Sequence, residues 1–471
     1  MSRPVANAQS SRPSGASWVA GTVLSTLALL VIPLSQYPIL GPTLAALVVF
    51  LVFAQLLHHK TGANILGEIG FLYLALALAY TLIPAVTFMV LDFDLASGWV
   101  WEKLSLLLPD VAELGVHLWR HVLFIFGVAF GYLVFRGAAS TNVSRPLTQP
   151  ARGSAVVVFL ATTIFISILA ISALSAPVDS YIDHYTRFDH LSWLTLRAVY
   201  ILLILKTSAY YILLTLMFHD YRRYKRYIAA AVVVICVYET AYSLGSRIET
   251  LSILLGVVCL YHYKVRRISI KQGVLALVAI AVLFSVIELF RSLEFDLSDA
   301  RNVVSTEGAS PASEFGAVYF TGFHLYSERS HGTLPTYESP MFFSDLLALI
   351  PFINHTEWNP QYWYARNYFP EAAVPPQTMG PIADSAIWGG EVDLLFRSIL
   401  NGAIFAAVTR WYLRRQHFWW ASVTYTYLFA TSVMTLKYSI LYQLAPLVRI
   451  ILPGLLLTWL FARLVRQLRP R

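Results

Sequence analysis

Apolar residues run along this chain in long unbroken blocks rather than alternating with polar ones. Blocks lie near 18–35, 38–58, 69–91, 114–135, 154–175, 195–217, 227–245, 248–263, 273–290, 388–409, 418–436 and 440–465. Their lengths suit a bilayer, whose hydrocarbon core takes about 20 helical residues to cross. The lack of a period of two argues against barrel strands. Backbone groups in lipid have no water to bond, so each block must satisfy its own hydrogen bonds as a helix. The pattern predicts an all-α polytopic membrane protein with about twelve transmembrane helices.

One polar stretch interrupts the pattern. Residues 291–387, between the ninth and tenth blocks, hold Arg291, Arg301, Glu314, Arg329, His331, His355, Arg366 and Asp384 among many aromatics. Within this stretch, 341–353 (MFFSDLLALIPFI) is too short to cross and reads as an interfacial helix ended by Pro351. The chain thus divides into a polar tail at 1–16, nine helices over 17–290, the large loop 291–387, and three helices with a basic tail over 388–471. Composition agrees. Hydrophobic residues make up 57% and charged residues 13%, about half the charged share of a soluble domain.

The formal net charge is +8, and its placement assigns topology. Arg136, Arg145 and Arg152, then Arg222, Arg223, Lys225 and Arg226, then Lys264, Arg266, Arg267 and Lys271, then Arg410, Arg414 and Arg415, and finally Arg466, Arg469 and Arg471 share one side if twelve spans are correct. That side is the cytoplasm, with both termini. The charge therefore needs no nucleic-acid partner. Cys236 and Cys259 lie inside apolar blocks and read as small core residues, not a disulfide or metal pair.

Candidate chemistry gathers on the other side. Arg247 follows a Gly-Ser break at a span boundary; it either snorkels or pairs with Glu249, or it holds a phosphate. Arg449 lies about three turns into the last block and should face a protein interior, and Lys437 sits in the preceding short turn. With Arg291 they would form a cationic pocket of the kind a diphosphate needs, more so as it leaves. Glu314 either favours a helix start through the macrodipole or takes a proton from a sugar hydroxyl, with His331 as the competing base. Asp384 stands where the chain re-enters the membrane. Asp92 and Asp94 have the spacing of a metal-binding pair, a match short enough to arise by chance. The loop's aromatics serve as interface anchors or as platforms for sugars. No Walker loop, HExxH or CxxC occurs.

At these residues the chain resembles the Wzy-type polysaccharide polymerases, which polymerise O-antigen, enterobacterial common antigen and exopolysaccharide repeat units. GSRIETLSILLGVVCLYHYKVRR is similar to the family's Gly-x-Arg stretch, SPASEF to its Ser-Pro-x-x-Glu segment, LIPFI to its Ile-Pro turn, and MGPIADSAIWGG to the segment that ends its large loop. The resemblance covers about 240–465. The Arg-x10-Gly motif of some members is absent, and Lys437 stands where an Arg is common; Lys lacks the bidentate fork. The resemblance implies a fold related to the membrane C-type glycosyltransferases, in the bacterial inner membrane, with the large loop in the periplasm. It implies a polymerase whose donor and acceptor are undecaprenyl-pyrophosphate-linked oligosaccharides, aided by a membrane partner that sets chain length. Arg247, Arg291, Lys437 and Arg449 would hold the pyrophosphate, Glu314 or His331 would act as base, and Arg329, Arg366 and Asp384 would contact glycan. No metal and no cofactor is required. An O-antigen ligase or a C-type transferase using a polyprenyl-phosphate sugar is the neighbouring alternative. A lipid-linked glycan flippase or exporter is the non-enzymatic one.

Overall fold

The computed structural model describes residues 37–91, 111–137, 153–176, 187–188, 190–242, 247–269, 271–273, 275, 312–337, 350, 359–370, 379–438 and 444–467. Several expectations lie outside them: the polar tail and first span, Asp92 and Asp94, nearly all of the ninth span, Arg291, Arg301, His355, and all but Ile350 of the interfacial helix.

The described residues are helical, with no strand among them. Thirteen α-helices are labelled in chain order: α1 Leu40–Thr61, α2 Ile69–Leu91, α3 Val111–Arg136, α4 Gly153–Leu174, α5 Trp193–His219, α6 Tyr221–Tyr242, α7 Arg247–Lys264, α8 Ala312–His331, α9 Pro360–Tyr368, α10 Pro381–Trp388, α11 Glu391–Arg415, α12 Trp419–Thr431 and α13 Leu452–Gln467. Tight 3-10 turns occupy Gly62–Gly67 and Ser432–Leu436, and a π-helical turn occupies Leu447–Ile451. Six helices, including α1, α3, α4, α5 and α11, are long and apolar enough to cross a membrane; the sixth runs from Leu444 to Val465. Outward-facing Phe165, Ile166 and Leu169 on α4, Val233, Val234 and Val237 on α6, and Leu456, Trp459 and Leu460 on α13 are exposed. Such surfaces suit hydrocarbon, and the protein is a membrane-embedded helical bundle.

Two groups of helices build it. In the first, α3 packs against α1, α2 and α11, while α8 lies across α2 and α10 packs against α8 and α11. In the second, α5 packs against α4, α6, α12 and α13, and α7 joins α6 to α12. Glycine makes the α3–α11 contact possible. A Cβ at Gly131 would collide with the Ile399 carbonyl oxygen, and one at Gly402 with that of Val128. Close backbone approach of this kind is how helices associate where lipid supplies no hydrophobic drive.

Local signals set several ends. The Ser192 hydroxyl accepts from Thr195 N at 3.3 Å and caps α5. Asn359 accepts from Gln361 N at 2.8 Å, and Pro360 occupies the first turn of α9. Gly390, at φ +65°, turns the chain from α10 into α11. The π-turn lies just before Pro453, whose ring cannot accept the carbonyl four residues earlier and supplies no N–H; an extra residue in the turn relieves both.

Two boundaries differ from the sequence reading. Helix α6 begins at Tyr221, so Arg222, Arg223, Lys225 and Arg226 lie in its first turns rather than in a loop. Their long stems cover apolar surface while the charges reach water. The span expected from 388 is split by Gly389 and Gly390, and α11 starts at Glu391. Arg449 lies in the π-helical turn Leu447–Ile451, and the expected start of the last span near 440 lies outside the described residues. Cys259 is buried and Cys236 half-buried, both as free thiols, as the core reading expected.

Candidate active site

The end of the bundle rich in basic residues is closed by a buried ion pair. Arg136 donates from Nε to Glu68 Oε2 and from Nη2 to Glu68 Oε1, each at 2.7 Å. The Tyr132 hydroxyl donates to Glu68 Oε2 at 2.5 Å. Beside it, Tyr425 and Tyr263 donate to the Gly67 carbonyl at 2.6 and 3.0 Å. Lys264 Nζ donates to Gln416 O at 3.2 Å. These contacts fasten the described residues of this end together.

The region that can hold a ligand lies among α5, α6, α7 and α12. A cavity of about 250 Å³ opens there, lined by Tyr210, Glu239, Glu249, Ser252, Tyr427 and Tyr438 among others. Its wall includes Glu249, two residues after Arg247; Met434 and Tyr438, either side of Lys437; and Pro446 and Ile450, either side of Arg449. Three of the four residues expected to bind pyrophosphate therefore belong to segments walling one cavity. Lys437 is buried, directly after the 3-10 turn. The Arg449 guanidinium donates from Nη2 to Ile350 O at 2.6 Å, tying the large loop to the π-turn. Arg247 is the first residue of α7.

Two charged residues of this region come from inside apolar blocks. Lys206 Nζ lies 2.7 Å from Glu239 Oε1, both nearly fully buried. The Tyr210 hydroxyl donates to the same oxygen at 2.8 Å. The rings of Tyr238 and Tyr242 lie 5.0 and 4.8 Å from the Lys206 ammonium. Arg187 donates to Tyr242 O at 2.7 Å and stacks on that ring. The sequence reading passed over Lys206 and Glu239, although an ionisable residue in a span is a functional candidate by default.

A second polar assembly sits where α8 and α10 cover the ends of α2 and α3. The His121 and His117 Nε2 atoms are 3.3 Å apart, and His117 Nε2 is 3.1 Å from Tyr319 O. His121 Nδ1 is 3.1 Å from the Thr81 hydroxyl. Because that hydroxyl donates to Ala77 O, it accepts from the ring, which leaves the His121 Nε2 lone pair for His117. Arg120 pairs with Glu391 at 2.8 Å and stacks over Tyr326. On α8, His324 Nδ1 shares a 2.8 Å hydrogen bond with the Tyr364 hydroxyl of α9. Burial pushes the His324 imidazole below its ordinary pKa, against the opposing pull of Glu328.

The assembly approaches the segment that walls the cavity at Leu436, the residue before Lys437. A Cβ on Gly380, which precedes α10, would collide with the Leu436 carbonyl oxygen and crowd Val318 of α8. Position 314 lies one turn before Val318 on the same face of α8. His331 is exposed at the other end of α8, with its Nδ1 donating to Ser327 O at 2.8 Å. Seventeen residues of helix separate 314 from 331, about 26 Å at 1.5 Å per residue, so they cannot serve one reacting atom together on this helix.

The remaining glycan-contact expectations fare differently. Arg329 donates to Ala386 O at 2.7 Å and holds the C-terminal carbonyls of α10, a capping duty. Asp384 is buried in the first turn of α10, where a carboxylate complements the helix dipole. Arg366 is exposed in the last turn of α9.

No known protein family, no curated protein and no solved structure matches this chain.

Proposed function

We propose that the protein is a membrane glycosyltransferase that polymerises undecaprenyl-pyrophosphate-linked oligosaccharide repeat units and releases undecaprenyl pyrophosphate. In this reading it lies in the bacterial inner membrane, with both termini cytoplasmic and the large loop periplasmic. The observation that carries it is the cavity within the bundle whose wall comprises the segments bearing Arg247, Lys437 and Arg449. The charged residues of the lining itself are Glu239 and Glu249, so the diphosphate is assigned to the edge of the cavity at Lys437, where a cation can meet the charge that grows as it departs.

An acceptor hydroxyl attacks the anomeric carbon of the donor. A C–O bond forms, the bond to the diphosphate oxygen breaks, and its electron pair stays on the diphosphate. The hydroxyl proton goes to a base; Glu314 is our assignment, as its position lies one turn from Val318, where the assembly approaches Leu436. Because diphosphate is a good leaving group, positioning and charge stabilisation supply most of the rate effect.

The test is incubation of purified protein with a synthetic undecaprenyl-pyrophosphate repeat unit, with and without chelator, followed by product sizing. A ladder of lengths on the lipid is expected, unchanged by chelator. One-step transfer to a lipid A core would identify a ligase instead. A second reading, a lipid-linked glycan exporter, draws on the Lys206–Glu239 pair, because a charge pair among apolar helices is the polar step an export path needs. Flux of labelled glycan across proteoliposomes without chain growth would select it.

A further inference from the structure

The cavity beside Lys437 has a lining that a diphosphate does not explain. Its charged side chains, Glu239 and Glu249, are acids, which repel phosphate. Nor do they call for a cation. Lys206 lies 2.7 Å from Glu239, and one further carboxylate falls short of the several oxygen ligands a hard cation takes. A hydrocarbon chain fits no better, because it makes no use of the carboxylates and the hydroxyl in the lining. What remains is a neutral ligand with many hydroxyl donors and an apolar face. The carboxylates and the Ser252 hydroxyl supply partners for the donors, and the rings of Tyr210, Tyr427 and Tyr438 supply the apolar wall. A mostly apolar lining with a few placed polar groups is the usual design of a small-molecule site. At about 250 Å³, the space suits one sugar ring rather than a whole repeat unit.

We propose that this cavity is a subsite for a neutral sugar ring of the acceptor glycan, with Glu249 accepting hydrogen bonds from its hydroxyls. The inference rests on the glycosyltransferase reading and adds to it the chemistry of what the cavity takes. Glu249 is here a binding residue; the donor diphosphate lies at the Lys437 edge.

The experiment is saturation-transfer NMR on the full chain in nanodiscs. The probes are methyl glycosides of a neutral hexose, a deoxyhexose and an N-acetylhexosamine, with decyl phosphate as a competing chain. At least one glycoside should bind the wild type, and Glu249→Gln should weaken that binding roughly 10-fold or more, as loss of a hydrogen bond to a charged group does. Ser252→Ala should weaken it less. In the elongation assay, Glu249→Gln should raise the acceptor KM and leave kcat within about threefold of wild type, since an interaction made equally in ground and transition states acts on KM. The subsite is overturned if no glycoside binds the wild type, if both variants bind as the wild type does, or if decyl phosphate displaces the glycoside. Glycoside binding that depends on Glu249 without any elongation would sink the enzyme reading and leave the subsite standing. Elongation with an unaltered acceptor KM in Glu249→Gln would do the reverse.

Discussion

Glu68→Gln is the substitution whose cost the structure prescribes most directly. The Glu68 carboxylate receives two hydrogen bonds from Arg136 and one from Tyr132, and the two charged side chains are only 1% and 3% exposed. Glutamine keeps the shape but removes the negative charge, so the Arg136 guanidinium stays buried without its counter-ion. Breaking a buried pair from one side costs about 3–5 kcal/mol. The Tyr132 hydroxyl retains Thr409 at 3.1 Å as an acceptor, so little is added there. Removing both charges in Glu68→Met/Arg136→Met should recover most of the loss, because replacing a buried pair by apolar groups of similar volume is often neutral or better. The assay is reversible unfolding of the detergent-solubilised protein, run as a double-mutant cycle on the wild type, Glu68→Met, Arg136→Met and their double variant, with Glu68→Gln measured beside them. A single-variant loss under about 1 kcal/mol, or a double variant no better than the sum of the singles, would show that Arg136 is solvated and that the closed basic end is misread.

Other substitutions test other parts. Lys437→Gln should cut donor turnover by 10-fold or more, on the order of a lost charge-assisted contact to a leaving diphosphate, while Lys437→Arg should retain activity; equal loss in both would point to packing. Glu314→Gln should lower kcat about 10²–10⁴-fold and remove the acid limb of the pH–rate profile; a variant that folds and polymerises at full rate removes Glu314 from the mechanism. Gly402→Leu should prevent the α3–α11 contact and yield aggregated protein on size-exclusion chromatography, since its side chain would enter the Val128 backbone. Stability should also fall as pH drops through about 6.5, the ordinary histidine value. The unfolded chain protonates residue 324 there, while the fold, through burial, holds it neutral to lower pH. The unfolded state then binds more protons, which favours unfolding, and His324→Gln should flatten the slope in a pH series of thermal melts.

The helical class and most of the span positions were legible because apolar blocks carry them locally. Residues 69–91 coincide with α2, and 154–175 with α4 to within a residue. The failures have physical reasons. Basic residues at 222–226 looked like a loop, yet long cationic stems allow a helix to start among them. Helix α8 showed its start through Glu314 but not its 20-residue length, because His, Ser, Thr and Tyr interrupt its apolar face. The site divided in the same way. Arg247, Lys437 and Arg449 were visible as charges near span ends, and their segments do wall one cavity. The two acids of that cavity were not foreseen in it. Glu239 is matched by Lys206, a partner 33 positions earlier and one helix away, and no local pattern announces such a pair. The same holds for Glu68 and Arg136, which only the packing of α3 beside α2 brings together.

The glycine seam between α3 and α11 has a mechanical meaning. With Gly131 and Gly402 set against facing carbonyl oxygens, neither helix has side-chain cushion through which to slide past the other. The two helices therefore act as one stiff beam, joined near one end by Arg120 and Glu391 and near the other by Tyr132 and Thr409. Under the proposed function, a cavity that takes up and releases its ligand needs a wall that yields. With the beam fixed, that compliance falls to α5, α6 and α7, the helices that line the cavity from the opposite group.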